Sequence, residues 1–272
     1  MNAGTAERRM IETGAGRLAV RILGEGGQTL ILWPSILADH RIHLGVAHRL
    51  AGVAKLVLID GPGHGDSGPT PGTPDMSRYA AAMAEVMDML KIDRAVVGGT
   101  SWGGLVGAEL ALTRPDRVAG LVLMNTPPFI DGARPGLRAR MIALGARHLL
   151  GMRSFRDGVA RSFFAPQTLV RDPELAAGFQ EMLRSADAAA LSSAVRAVIL
   201  DGQPLAGRLD RITVPVLMIA GHDDSLYRLE GFRRAAARLR NGRLVVVPGR
   251  HISAADAPED VSKALTDFLA SL

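Results

Sequence analysis

The chain has 272 residues, 47% of them apolar, no cysteine, and 32 lysines and arginines against 27 aspartates and glutamates, a formal charge of +5. A chain of this length buries roughly 75% of its unfolded surface, enough for one large core with an inserted subdomain, and the lack of cysteine excludes disulfides, thiolate metal sites and cysteine nucleophiles together. Arginines interleaved with acids, as in Arg171-Asp172-Pro173-Glu174, and only 4% aromatic residues argue against nucleic-acid binding, while the charged residues 1–30 and the absence of a long uninterrupted apolar stretch predict a soluble, unexported, cytoplasmic protein without a membrane span.

Strand-like and helical stretches alternate along most of the chain. Apolar, β-branched runs predict strands over 17–23, 29–33, 55–59, 95–98, 118–124, 215–220 and 244–247, and apolar spacing at the helical period predicts helices over 42–50, 76–91, 105–113, 229–239 and 258–269. That alternation is the pattern of a mostly parallel sheet with helices on both faces. Between 126 and 210 it lapses: helix-like segments over 137–150, 174–185 and 188–199 lie among prolines and glycines with no strand between them. The expected organisation is an α/β core formed by residues 1–125 and 211–272, with residues 126–210 inserted as a helical cap.

Gly99-Thr100-Ser101-Trp102-Gly103 stands where the strand ending at Gly98 meets the following helix. A serine in a G-x-S-x-G turn at such a junction takes a strained backbone that lifts its hydroxyl above the sheet, and the glycines are needed where a Cβ would strike the neighbouring strand or helix. The turn also aims the Trp102 amide and the positive end of the helix at the space where an acyl oxygen gains charge. Ser101 is therefore the candidate nucleophile.

A serine hydroxyl needs a base, and the base needs an orienting acid. Of the seven histidines, His251 follows the last predicted strand in the turn Val247-Pro248-Gly249-Arg250-His251, at the sheet end where catalytic groups of parallel-sheet proteins gather. The acid is sought at the end of the strand between them, where Gly221-His222-Asp223-Asp224 offers two carboxylates. Asp224 is favoured, because Gly221 turns the chain out of the sheet and the residue three positions on reaches the imidazole; Asp223 is the alternative. The end of the strand over 118–124 carries Asn125-Thr126 and no carboxylate. His64, in a glycine-rich turn, reads as a loop-bracing residue. Gly14-Ala15-Gly16 precedes a strand and opens no helix, and His40-Arg41-Ile42-His43 lacks the glutamate of a zinc-protease motif, so neither a cofactor nor a metal is expected.

Together these features resemble the α/β-hydrolase superfamily over nearly the whole chain. Asp60-Gly61-Pro62-Gly63-His64-Gly65-Asp66-Ser67 is similar to the D-x-x-G-x-G-x-S turn after the family's fourth strand, and Arg114-Pro115-Asp116-Arg117-Val118 to the segment before its sixth. The ending, from Ile212-Thr213-Val214-Pro215 through Gly221, Asp224 and His251 to Ala257-Pro258-Glu259, is similar to single-domain hydrolases near 3-oxoadipate enol-lactonase and small carboxylesterases. The resemblance implies a mostly parallel eight-stranded sheet flanked by helices, with a helical cap. It also implies cleavage of a small-molecule carboxylic ester or lactone through an acyl-enzyme, with Ser101, His251 and Asp224 as the triad and no cofactor. One departure stands out: Pro34-Ser35 replaces the His-Gly usual after the third strand. Aligned so, the Ile36 amide is the second oxyanion donor beside that of Trp102, with Ser35 as the alternative. The same triad serves carbon–carbon bond hydrolases and perhydrolases, and the fold also hosts ligand-binding receptors, so these stand as rival readings. A homodimer stands beside the monomer as an alternative assembly.

Within 126–210, Met141, Leu149, Leu150, Met152, Phe155, Phe163, Phe164, Phe179, Met182 and Leu183 predict an apolar, adaptable roof over the site. Phe163 and Phe164 are the expected substrate-binding pair, since adjacent aromatics beside Pro166 do not both fit one helix face. Arg138, Arg140 and Arg161 are candidate partners for a substrate carboxylate.

Overall fold

The computed structural model describes residues 6–73, 75–126, 137–201 and 205–272. Among these residues one sheet has seven strands: β1 (Glu7–Thr13), β2 (Gly16–Trp33), β3 (Ala54–Ile59), β4 (Ala95–Thr100), β5 (Val118–Met124), β6 (Val216–Gly221) and β7 (Gly242–Val247). β2, β4, β5, β6 and β7 lie side by side in that order and run parallel, and β1 pairs antiparallel with β2.

The count is seven and not the expected eight because the runs predicted at 17–23 and 29–33 form one continuous element. β2 bends at Gly24, where φ is 75°, so that both its arms flank β3. Val20 to Leu23 run against Ile59 to Leu56, whereas Leu30 to Leu32 advance with Leu56 to Leu58. A Cβ at Gly24 would lie 2.5 Å from the Ala54 carbonyl oxygen, which reserves the bend for glycine. β1 carries no sequence signal for a strand: in Glu7-Arg8-Arg9-Met10-Ile11-Glu12-Thr13 only Ile11 is buried, as befits a charged edge.

Successive residues of the central strands face opposite sides. Ile31 and Trp33 of β2, Val97 of β4 and Leu121 and Leu123 of β5 pack with the helices Met76–Met89 and Trp102–Thr113. Leu30 and Leu32, Val96, Val122 and Met124 pack with the helices Leu44–Leu50 and Pro258–Leu269 on the other side. Cover on both faces is why these strands read as unbroken apolar runs and not as alternating ones.

Between β5 and β6 the described residues form helices: Leu137–His148, Arg153–Phe163, Pro166–Arg171, Pro173–Ser185 and Ala188–Val195, the last continuing as a π-helical turn at Arg196–Leu200, then a 3-10 segment at Ala206–Arg211. Arg153–Phe163 and Pro166–Arg171 are not among the predicted helices: in the first, Phe155, Val159 and Phe163 keep the helical spacing but stand among charged residues, and the second is only six residues long with Pro166 at its first position. The structure corrects the expected apolar roof at Met141, Leu149 and Met152, which are exposed, whereas Leu150, Phe163, Phe164, Phe179, Met182 and Leu183 are buried. The helix Leu137–His148 buries its small side chains, Ala143 and Ala146, and meets Ala188–Val195 there, which turns Met141 and Leu144 outward.

Candidate active site

The site is built around the junction of β4 with the helix Trp102–Thr113. Ser101 holds φ 54° and ψ −103°, a conformation that costs an L residue about 1–3 kcal/mol and persists only where the surroundings impose it. Here the imposition is steric and polar. An added Cβ at Gly99 or Gly103 would stand 1.9 Å from the Trp33 carbonyl oxygen, so β2 presses directly on the turn. The Ser101 amide donates to the Met124 carbonyl at 2.7 Å and the Gly103 amide to the Pro34 carbonyl at 3.1 Å, fastening the turn to the ends of both neighbouring strands. Gly103→Ala is accordingly expected to destabilise the fold by about 1–3 kcal/mol or more in urea titration. Gly52→Ala, whose new Cβ would meet nothing within 4 Å, should stay within about 0.5 kcal/mol. Equal stability of the two variants would contradict the close approach of β2.

At the carboxyl ends of β6 and β7, Asp224 and His251 meet. His251 Nδ1 and Asp224 Oδ2 are 3.0 Å apart, with side chains only 2% and 1% exposed. Asp224 Oδ1 accepts from the Leu226 and Tyr227 amides at 2.8 and 3.3 Å, and Oδ2 accepts from Asn125 Nδ2 at 3.0 Å. Burial opposes the charge on Asp224, but the hydrogen bond from His251, with those from Asn125 and the Leu226 amide, holds its pKa below the ordinary carboxylate value. An ionised carboxylate can only accept, so the His251 proton sits on Nδ1 and Nε2 carries the basic lone pair. The neighbouring Asp223 instead turns into solvent and pairs with His222 at 2.8 Å. Phe163 and Tyr227 both lie against the His251 ring, with centroids 5.4 and 5.6 Å away.

Three polar residues that hold this pair escape sequence reasoning. Asn125 is buried at the end of β5 with φ 44°; its Nδ2 donates to Asp224 and to the Arg250 carbonyl, at 3.2 Å, while its Oδ1 accepts from Ser253 Oγ at 2.6 Å. In the sequence Asn125 registers only as the lack of a carboxylate; its suitability for a left-handed backbone at a strand end was the available signal. Asp256 accepts from the Arg250 amide at 2.7 Å, from Thr168 Oγ1 at 2.6 Å and from the Ala165 amide at 3.0 Å, tying the His251 turn to the start of the helix Pro166–Arg171.

Facing the Ser101 turn, the loop after β2 folds into a four-residue turn closed by the Ala38 amide and the Ser35 carbonyl at 3.2 Å, with Leu37 at φ 61°. Ser35 is fully buried, and its Oγ has no hydrogen-bond partner among the described residues. Nor, among those residues, do the amides of Ile36 and Trp102 have an acceptor. Phe164 is fully buried with its ring 5.1 Å from that of Phe179. Arg140 and Arg161 are exposed, and the Arg138 side chain lies outside the described residues.

The turn over 60–67 is braced by Asp60, which accepts from the His40 amide at 2.9 Å, His40 Nδ1 at 2.8 Å, Arg21 Nη1 at 3.0 Å and the Asp66 amide at 3.1 Å. Burial opposes its charge, yet the His40 bonds chiefly hold its pKa at about 2. Asp39, His40 and Asp60 bring potential ligand atoms within 4.8 Å of one another, but the four donors already engage both Asp60 oxygens, and the cluster is a brace.

The family described as alpha/beta hydrolase fold matches residues 28–258. The chain is 26% identical over 212 residues to 3-oxoadipate enol-lactonase 2 of Acinetobacter baylyi, covering 77% of this chain and 76% of the lactonase. It is 30% identical over 263 residues to pimeloyl-(acyl-carrier protein) methyl ester esterase of Yersinia enterocolitica, covering 91% and 95%. Among solved structures, the enol-lactonase from Burkholderia xenovorans LB400 superposes with a TM-score of 0.87 at 27% identity, over 96% of this chain and 100% of that one.

Proposed function

The chain belongs to the alpha/beta hydrolase family, and from that premise we propose that it is a serine hydrolase, independent of any cofactor, that cleaves a small carboxylic ester or lactone. The buried Asp224–His251 bond, at the same end of the sheet as the strained Ser101 turn, carries this assignment. In the proposed reaction Ser101 Oγ attacks the acyl carbonyl while His251 Nε2 takes its proton, and Asp224 keeps the imidazole in the Nδ1–H tautomer and offsets the charge it gains. The amides of Trp102 and Ile36 receive the oxyanion, with the Ser35 hydroxyl beside them as a further donor. His251 returns the proton to the leaving alkoxide oxygen, then takes one from the water that attacks the acyl-enzyme and passes it to Ser101 Oγ as the acyl–serine bond breaks, releasing the acid. The lactonase and esterase among the relatives favour an ester bond, cyclic or open, over the other bonds this fold cleaves.

Residues 126–210 act in this proposal as the cap, of which 127–136 and 202–204 lie outside the described residues. Phe163, beside His251, is its substrate-facing member, whereas Phe164, expected as its partner in the pocket, is fully buried with its ring against Phe179. In a series of p-nitrophenyl esters kcat/KM should rise up to a few-fold per added methylene, since burying one CH₂ is worth about 0.8 kcal/mol, until the pocket is full. Phe163→Ala should move that optimum to longer acyl chains, whereas Phe164→Ala should cost about 3–5 kcal/mol of stability. An unchanged profile in a stable Phe163→Ala protein would remove Phe163 from the pocket. Steady, fast turnover of the shorter esters is expected in the same assay, and its absence would favour a ligand-binding receptor. A matched series with hydrogen peroxide separates a perhydrolase.

A further inference from the structure

His64 is buried in the turn over 60–67, and its hydrogen bonds fix its protonation state without ambiguity. The Leu37 amide, 3.0 Å from Nε2, can only donate, and the Pro62 carbonyl, 2.9 Å from Nδ1, can only accept. The ring is therefore neutral, with its proton on Nδ1 and its Nε2 lone pair spent on Leu37. Burial supports the same state by pushing its pKa down to about 4. No step of the proposed reaction uses this imidazole.

Leu37 occupies the third place of the Ser35–Ala38 turn with φ 61°, the conformation for which turns ordinarily recruit glycine. A leucine stays there only if something outside the turn holds its peptide plane. His64 Nε2 is the acceptor that does so, and the Gly103 amide grips the other end of the loop through the Pro34 carbonyl at 3.1 Å. Ile36 lies between these two anchors.

We propose that His64 is the positioning residue of the oxyanion loop: by accepting the Leu37 amide it holds the turn in the form that presents the Ile36 N–H to the developing oxyanion. This rests on the assignment of Ser101 and Ile36 made above. His64 never touches the substrate; it acts through the loop. It also lies against Trp102, with ring centroids 5.2 Å apart, so packing and hydrogen bonding must be tested apart.

Three variants separate them. His64→Phe keeps a flat ring against Trp102 and removes both polar atoms, His64→Gln restores an acceptor at the ε position, and His64→Asn restores a polar group on the Pro62 side alone. Loss of an oxyanion donor or a displacement of about 1 Å costs about 10²-fold. His64→Phe should accordingly lose about 10²-fold in kcat with KM unchanged. It should lose a similar factor in affinity for a trifluoromethyl ketone, whose carbonyl adds Ser101 Oγ to form a tetrahedral oxyanion, and little for the matching secondary alcohol, which fills the pocket without one. His64→Gln should recover most of the activity, and His64→Asn should not. Unchanged ketone affinity in His64→Phe, or equal losses in the Gln and Asn variants at wild-type stability, would overturn the proposal. If His64→Phe does not fold, the Gln and Asn pair decides by the same criterion. Fluorophosphonate labelling of the wild-type protein in parallel distinguishes the failures: no label removes the serine hydrolase assignment itself, whereas normal labelling with indifferent His64 variants removes only this role.

Discussion

Ser101→Ala is expected to lose at least about 10⁴-fold in kcat/KM toward simple esters while unfolding at nearly the wild-type urea concentration. The hydroxyl is the proposed bond-forming atom, so its removal leaves only the proposed binding pocket and oxyanion donors. The fold hardly notices, because the turn is held by Gly99 and Gly103 against Trp33 and by the Ser101 amide on Met124, none of which involves the side chain. Alanine tolerates φ 54° no worse than serine does, and a stability change under about 1 kcal/mol follows. Retention of a tenth of the activity in a purified variant would mean that another group attacks the ester.

Asp224→Asn should be nearly as damaging, about 10⁴-fold in kcat, as the same change is in a serine-protease triad. The hydrogen bonds explain why an isosteric change costs so much. Both Asp224 oxygens receive donors: Oδ1 those of Leu226 and Tyr227, Oδ2 those of Asn125 and His251. Whichever way an amide is turned, its NH₂ faces an N–H. If it faces His251, the imidazole must move its proton to Nε2, and the proposed base is lost. Asp223→Asn, which disturbs only a solvent-exposed contact with His222, should stay within a few-fold of wild type. The reverse order of severity would place the acid at 223.

Much of this architecture is written locally in the chain. The run Val118 to Met124 coincides with β5 and Pro258 to Leu269 with the last helix, since a two-faced sheet demands continuous apolar strands and a half-buried helix demands periodicity. What stayed hidden depends on contacts distant in sequence. β1 is polar because it is an edge, and the continuity of β2 through Gly24 depends on β3 lying between its arms. Met141 looks like roof lining until the partner of its helix is known. The support of the His251 turn is hidden for the same reason: Asn125 and Ser253 meet across 128 residues of sequence, and Asp256 reaches back to Thr168, with nothing local to announce either contact. Likewise the glycine-rich turn marks His64 as a brace, but only the fold reveals that the braced peptide is Leu37.

The most direct measurement is covalent: the wild-type protein is treated with a fluorophosphonate, its intact mass is recorded against residual ester hydrolysis, and the adduct is located by peptide mapping. One adduct per chain on Ser101, growing in step with the loss of hydrolysis, is the expected result. Hydrolysis that persists in fully modified protein, or an adduct on any other residue accompanying the loss, would contradict Ser101 as the nucleophile.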